Sequence, residues 1–108
     1  MGKRYDLHIH SIFSDGELIP AEIAQRCSVL GHTAIAITDH VDNTNMDFIL
    51  DSLVNSCKEL SQHTDVEVLP GIEITHLPPE LIAPLARKAK NKGAKVPAYD
   101  GESSVVRK

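Results

Sequence analysis

From Tyr5 to His10 the side chains alternate, with Leu7 and Ile9 on one side and Asp6, His8 and His10 on the other. A period of two predicts a strand. The period then lengthens. Ile23, Cys27 and Leu30 form an apolar stripe at helical spacing, with Pro20 suited to the first helical position, Glu22 to the first turn and Gly31 to the stop. Alternation returns over Thr33 to His40, where Ile35 and Ile37 oppose Ala34, Ala36, Thr38 and His40. Thr44 or Asn45 is placed to cap a second helix, whose buried side is marked by Met46, Leu50, Leu53, Cys57 and Leu60. A third strand is expected over Val66 to Thr75, interrupted at Pro70-Gly71. Pro78 and Pro79 break the chain, Pro84 is expected to open a third helix, and Gly93 ends it. Lys95 to Asp100 has the makings of a short fourth strand, against which Pro97 counts. The expected domain is 1–100, with 101–108 as a polar tail.

Strands that alternate with helices predict parallel βα units, hence an α/β protein. In such units chemistry gathers at the carboxyl ends of the strands. His8 and His10 end the first strand, His40 ends the second, and Glu73 lies near the end of the third. One register therefore brings these groups to a common rim.

Composition narrows the function. Eleven Lys and Arg against fifteen Asp and Glu give a net charge of −4, so general nucleic-acid binding is not expected. No apolar run is long enough for a signal region or a membrane span, and Asp6 occupies the position where amino-terminal lipidation would need Ser or Thr. Cys27 and Cys57 fall on helix stripes without Cys-x-x-Cys spacing, as expected of reduced core thiols in a cytoplasmic protein.

His8 and His10 stand on the same face of a strand, where both can reach one metal ion. Each group also has a plain reading: solvated histidines, a turn aspartate in Ser14-Asp15-Gly16, and a loop histidine at His40. Glu73 is harder to dismiss. It sits inside the apolar run Gly-Ile-Glu-Ile-Thr, and an unpaired buried carboxylate is costly. Three histidines and two carboxylates on one rim are an awkward coincidence and a natural metal site. Mixed imidazole and carboxylate donors suit zinc, manganese or iron.

Asp-Leu-His-Ile-His-Ser, Phe-Ser-Asp-Gly, Ile-Thr-Asp-His and Gly-Ile-Glu-Ile-Thr, in that order, resemble the polymerase and histidinol phosphatase (PHP) superfamily from about Tyr5 to Lys95. The resemblance implies a distorted (β/α)7 TIM-like barrel, of which this chain would form the first half. It also implies metal-dependent hydrolysis of phosphomonoesters or phosphodiesters. In those terms His8 and His10 resemble the ligands of a first metal, Glu73 a carboxylate bridging the first and second, and Asp15 and His40 ligands of a third. The family takes further histidines from its fourth and fifth strands and an Asp-x-His pair from its last. This sequence has none of them, and where the fourth strand would end in histidine it reads Val96-Pro97-Ala98-Tyr99-Asp100. Asp100 can still offer an oxygen. The expectation is a truncated half-domain whose site is incomplete and whose activity alone is low or absent.

Two other classes compete. An amidohydrolase-type barrel also begins with His-x-His, but Asp15 and Glu73 do not fit it. A non-catalytic half-barrel remnant or binding module would need no complete site. The resemblance implies a phosphorylated small molecule or nucleotide as substrate, with His76 a candidate contact on the catalytic rim. His32 and His63 are expected to be structural or solvated. The basic run Arg87, Lys88, Lys90, Lys92 and Lys95 belongs to the end of a helix, away from the rim. Open strand edges predict self-association.

Overall fold

The computed structural model describes residues 3–99; Asp100 and the tail 101–108 lie outside the described residues. Eight elements follow in order: β1 (Tyr5–Ile9), α1 (Pro20–Val29), β2 (Ala34–Ile37), β3 (His40–Val41), α2 (Met46–His63), β4 (Glu67–Ile74), α3 (Pro79–Lys92) and β5 (Val96–Tyr99). All strand pairings are parallel. Ile37 faces Pro70 and His40 faces Glu73, so β2 and β3 hold the same register on β4. They are the single strand expected over Thr33 to His40, broken at Thr38 and Asp39. The sheet therefore runs β1, β2/β3, β4, β5 in chain order, with helices between successive strands. This is an α/β fold, consistent with the first half of a TIM-like barrel.

The core lies between the sheet and its helices. Ile35, Ile37, Leu50, Leu53, Cys57, Ile72 and Ile74 are fully buried, and α2 packs on β4. Both faces of β2 are buried, as are the last five residues of β4. This is how central parallel strands read. Cys27 and Cys57 are free, and burial pushes the Cys57 thiol up to about 12, with the nearby Asp39 charge adding to the shift. No helix among the described residues is long and apolar enough to cross a membrane.

Three local expectations need correction. Pro70 and Gly71 do not interrupt the third strand: β4 runs through both. The Pro70 carbonyl accepts from the Lys95 N–H (2.8 Å), one residue before β5 begins, so the missing Pro70 N–H falls ahead of the β5 ladder. Gly71 is required there because a side chain would strike the Val96 carbonyl and the Thr38 methyl. Next, α3 opens at Pro79 rather than Pro84. Pro79 fills the first-turn position that tolerates the missing donor, and Pro84 lies inside the helix, where it forfeits one backbone bond. Finally, Asn45 is the N-cap residue of α2, but its side chain does not bond the helix. Asn45 Oδ1 instead accepts from the Asp42 N–H (2.9 Å). Gly31 and Gly93 end α1 and α3 with positive φ, as expected. The basic end of α3 pairs with α2, through Lys88–Asp47 (3.5 Å) and Lys92–Asp51 (3.3 Å).

Candidate metal centre

Glu73 is the fixed point. It lies in β4, 1% exposed, between β3 on one side and β5 on the other. Its Oε1 meets His8 Nε2 in a very short contact and His10 Nε2 at 2.6 Å, while His40 Nδ1 stands 3.4 Å from Oε2. Parallel pairing explains the convergence. His40 is in direct register with Glu73, and β1 lies on the far edge of β2 with its final residues leaning over the same rim. Three rings crowd together here, with centroids 5.1 Å apart for His8–His10 and 4.3 Å for His10–His40.

Asp15 comes from the loop after β1. Its Oδ1 meets His10 Nδ1 at 2.7 Å and its Oδ2 meets His40 Nε2 at 3.2 Å. The donors thus form two groups, His8–His10–Glu73 and His10–Asp15–His40, which share His10. All five predicted ligands within the described residues are brought together. Asp100 lies outside them. His76 is exposed in the left-handed region (φ 59°), and with His40, Thr75, Asn45 and Asp42 it lines a cleft of about 200 Å³ beside the centre. His32 Nδ1 lies 3.3 Å from the Cys27 carbonyl at the opposite end of the sheet, and His63 ends α2.

Two of these groups shift one another's titration. Burial alone lowers the His10 pKa, but hydrogen bonding and charge from Glu73 and Asp15 outweigh it, and the net shift is upward from 6.5. For Asp15, loss of solvent raises the pKa, and His10 and His40 more than reverse this, so its carboxyl is held below 3.8. Around these two groups, three imidazoles and the buried Glu73 carboxylate converge on one point of the rim. Two imidazole nitrogens aimed at one carboxylate oxygen are the donor set of a transition-metal or zinc site. The residues fit a divalent ion.

A neutral imidazole has one lone pair for a metal and one N–H to donate. If His10 ligates through Nε2, its Nδ1–H points at Asp15, an arrangement in which a carboxylate orients a ligating ring. His10 cannot serve both groups at once. Of the two groups that could hold an ion among the described residues, only one can therefore use the His10 lone pair at a time.

Sequence reasoning missed the groups that support the ligands. Thr75 Oγ1 lies 3.0 Å from His40 Nδ1. Asp39, fully buried, accepts from the Ser11 N–H, Ser11 Oγ and Ser14 Oγ, each at 2.6 Å. The signal was present: Asp39 is a charge ending the apolar run Ala-Ile-Ala-Ile-Thr, as anomalous as Glu73 in its own run.

A parallel βα sheet with a histidine and carboxylate rim defines a metal-binding α/β domain. Comparison with known proteins makes this specific: the PHP domain matches residues 6–96, and the chain belongs to that metal-dependent family. It is 46% identical over 103 residues to an uncharacterised protein of Methanocaldococcus jannaschii, covering 94% of this chain and 47% of that protein. It is 32% identical over 75 residues to a 5'-3' exoribonuclease of Haemophilus influenzae, covering 69% and 24%. A DNA polymerase/3'-5' exonuclease of Bacillus subtilis is 32% identical over 79 residues, covering 68% and 14%. The chain thus spans less than half the length of each of these relatives.

Proposed function

We propose that this chain carries part of the centre of a metal-dependent phosphoester hydrolase. The observation that supports this most directly is the meeting of His8 and His10 on the buried Glu73 carboxylate, with His40 at its other oxygen. A divalent ion held there supplies Lewis acidity toward a phosphoryl oxygen and toward the attacking water. The chain's own residues do the rest. Glu73 fixes the centre, His8 and His10 close it from the first strand, and Asp15 orients the His10 ring. Zinc and manganese suit this donor set best, with iron a third choice.

The substrate in this reading is a phosphorylated small molecule or a nucleotide. The nuclease names of two relatives support a phosphodiester in particular. In this reading His76, which lines the cleft beside His40, contacts the substrate. Asp100 adds an oxygen donor in this reading. The unpaired, buried cysteines favour the cytoplasm. We also propose self-association through the outer edges of β1 and β5, neither of which has a partner among the described residues.

Competition for His10 makes the 108-residue chain a poor catalyst by itself in this reading. A reacting group misplaced by about 1 Å can lose roughly 100-fold in rate. The test is hydrolysis of p-nitrophenyl phosphate and its bis-ester with added manganese or zinc. It compares this chain, its His10→Ala variant and the longer Methanocaldococcus relative. Turnover by the relative with little or none by this chain is expected. Fast turnover by this chain, abolished in His10→Ala, would overturn the partial-site reading. Failure of both proteins to bind metal or hydrolyse either ester would overturn the phosphoesterase reading.

A further inference from the structure

The hydrogen bonds of the Asp39 side chain go to none of the ligand donors, yet Asp39 touches the backbone that carries Glu73 and His40 and the loop that carries Asp15. Its main-chain carbonyl accepts from the Glu73 N–H at 2.9 Å, and its neighbour is His40. Its carboxylate takes the Ser11 N–H and the hydroxyls of Ser11 and Ser14, all at 2.6 Å. Ser11 in turn closes the loop that carries Asp15: its carbonyl accepts from the Ser14 N–H (3.1 Å) and the Gly16 N–H (2.9 Å). The turn is so tight that any side chain at Gly16 would collide with the His10 carbonyl.

We propose that Asp39 is a positioning residue, which keys the Ser11–Gly16 loop to the break between β2 and β3 so that Asp15 reaches His10 and His40. The proposal rests on the metal-centre reading above. An ionised carboxylate only accepts, so it holds three donors at once, and charge-assisted bonds this short are the strong kind. Asp15 itself is 62% exposed at the side chain, and its partners in the structure are the two histidines. Nothing in its own burial fixes it. The loop must therefore be fixed from beneath, and Asp39, 0% exposed, is the group beneath it. The hydrogen bonds of its carboxylate go to the loop alone, because the bond to Glu73 comes from its backbone.

This separation gives the test. Manganese affinity is measured by calorimetry for the 108-residue chain and for the Asp15→Ala, Asp39→Ala, Asp39→Asn and Asp15→Ala/Asp39→Ala variants. Losing a group that orients a ligand weakens affinity by about 10–100-fold, and Asp39→Ala should fall in that range. Asp39→Asn should bind nearly as wild type, since the amide oxygen can still accept from the Ser11 N–H and the Ser14 hydroxyl, and the Ser11 hydroxyl can turn to accept from the amide nitrogen. In the Asp15→Ala background the Asp39→Ala loss should vanish, because both act through one arm. A merely structural Asp39 would add its full loss in either background, and that result would overturn the proposal. So would wild-type affinity in a folded Asp39→Ala chain. Should Asp39→Ala not fold, Ser14→Ala, which removes one hydroxyl from Asp39, must weaken binding only when Asp15 is present; wild-type affinity there would overturn the proposal. A wild-type chain that binds no manganese would overturn the metal-centre reading instead. Amide exchange at Ser11 and Gly16 then decides on Asp39: no acceleration in Asp39→Ala or, should that chain not fold, in Ser14→Ala would end the proposal.

Discussion

β1 and β4 both bring ligands to the rim, from opposite environments. β4 is paired on both sides and buried over its last five residues, so Glu73 is held by the sheet itself. β1 pairs only with β2 among the described residues, is exposed from Tyr5 to His8, and presents a His8 side chain that is 56% open to solvent. A central strand fixes a charged group by surrounding it. An edge strand fixes one only through the register of a single neighbour, and the loop after it needs further anchors. The centre is therefore rigid on its carboxylate side and adjustable on its histidine side.

The largest expected effect tests that asymmetry directly. Glu73→Ala removes the acceptor shared by His8, His10 and His40, and should weaken manganese or zinc binding by more than about 100-fold, beyond what an outer-shell loss causes. His8→Ala removes one exposed donor and should weaken binding less. Metal analysis after dialysis, with titration of the apo chains, ranks the two. Equal losses would show that β1 holds its ligand as firmly as β4 does.

The same contrast applies to stability. Ile72 is fully buried on β4, and Ile72→Ala should cost about 2–5 kcal/mol. That is a large part of the roughly 5–15 kcal/mol that holds a domain folded. Leu7 on β1 is 47% exposed, and Leu7→Ala should cost less than about 1 kcal/mol. Urea unfolding of both variants checks the ratio. A Leu7→Ala loss as large as that of Ile72→Ala would mean that the outer face of β1 is covered in solution.

That possibility bears on what sequence alone revealed. The order of strands and helices was legible because each period is long enough to read, and the five ligands were legible because charges interrupt apolar runs or share a strand face. The break at Thr38–Asp39 was not legible. Alternation continues through it, and only the register with β4 and the bonds from Ser11 and Ser14 show that Asp39 serves a loop 25 to 28 residues earlier. The start of α3 was misread for a related reason. Two prolines each fit a helix opening, and the turn between them is helical in the fold, with Ile82 packed against the core.

Open edges give the next test. Tyr5 and Leu7 are large and exposed on β1, 56% and 47%, along an edge without a partner among the described residues. Such edges pair with other chains. Light scattering should find a mass that rises with concentration, and Leu7→Lys should reduce the rise, since a charge on an edge strand discourages pairing. A monomer at every concentration, in both chains, would refute the self-association proposal.

The smallest expected effect is a displacement along the pH axis. His10 has a pKa above its ordinary 6.5 because Glu73 and Asp15 together outweigh burial, the largest single influence, which acts the other way. In the metal-free chain a raised pKa means that the ion pairs of His10 stabilise the fold below pH 6.5 and that this contribution is lost as pH rises through the higher folded value. Metal binding has the opposite sign, because only the neutral ring ligates and the ion must displace a proton. Affinity should therefore climb with pH and level off above 6.5 rather than at it. Asp15, held below 3.8 by His10 and His40, stays ionised across this window. Asp15→Asn removes one of the two carboxylates that raise the His10 value, so the bend in affinity against pH should move down toward 6.5. Calorimetric titrations between pH 5.5 and 8 in both chains would show it. A bend at the same pH with and without Asp15 would mean that Glu73 alone governs His10, and that the loop contributes geometry to the centre but no charge.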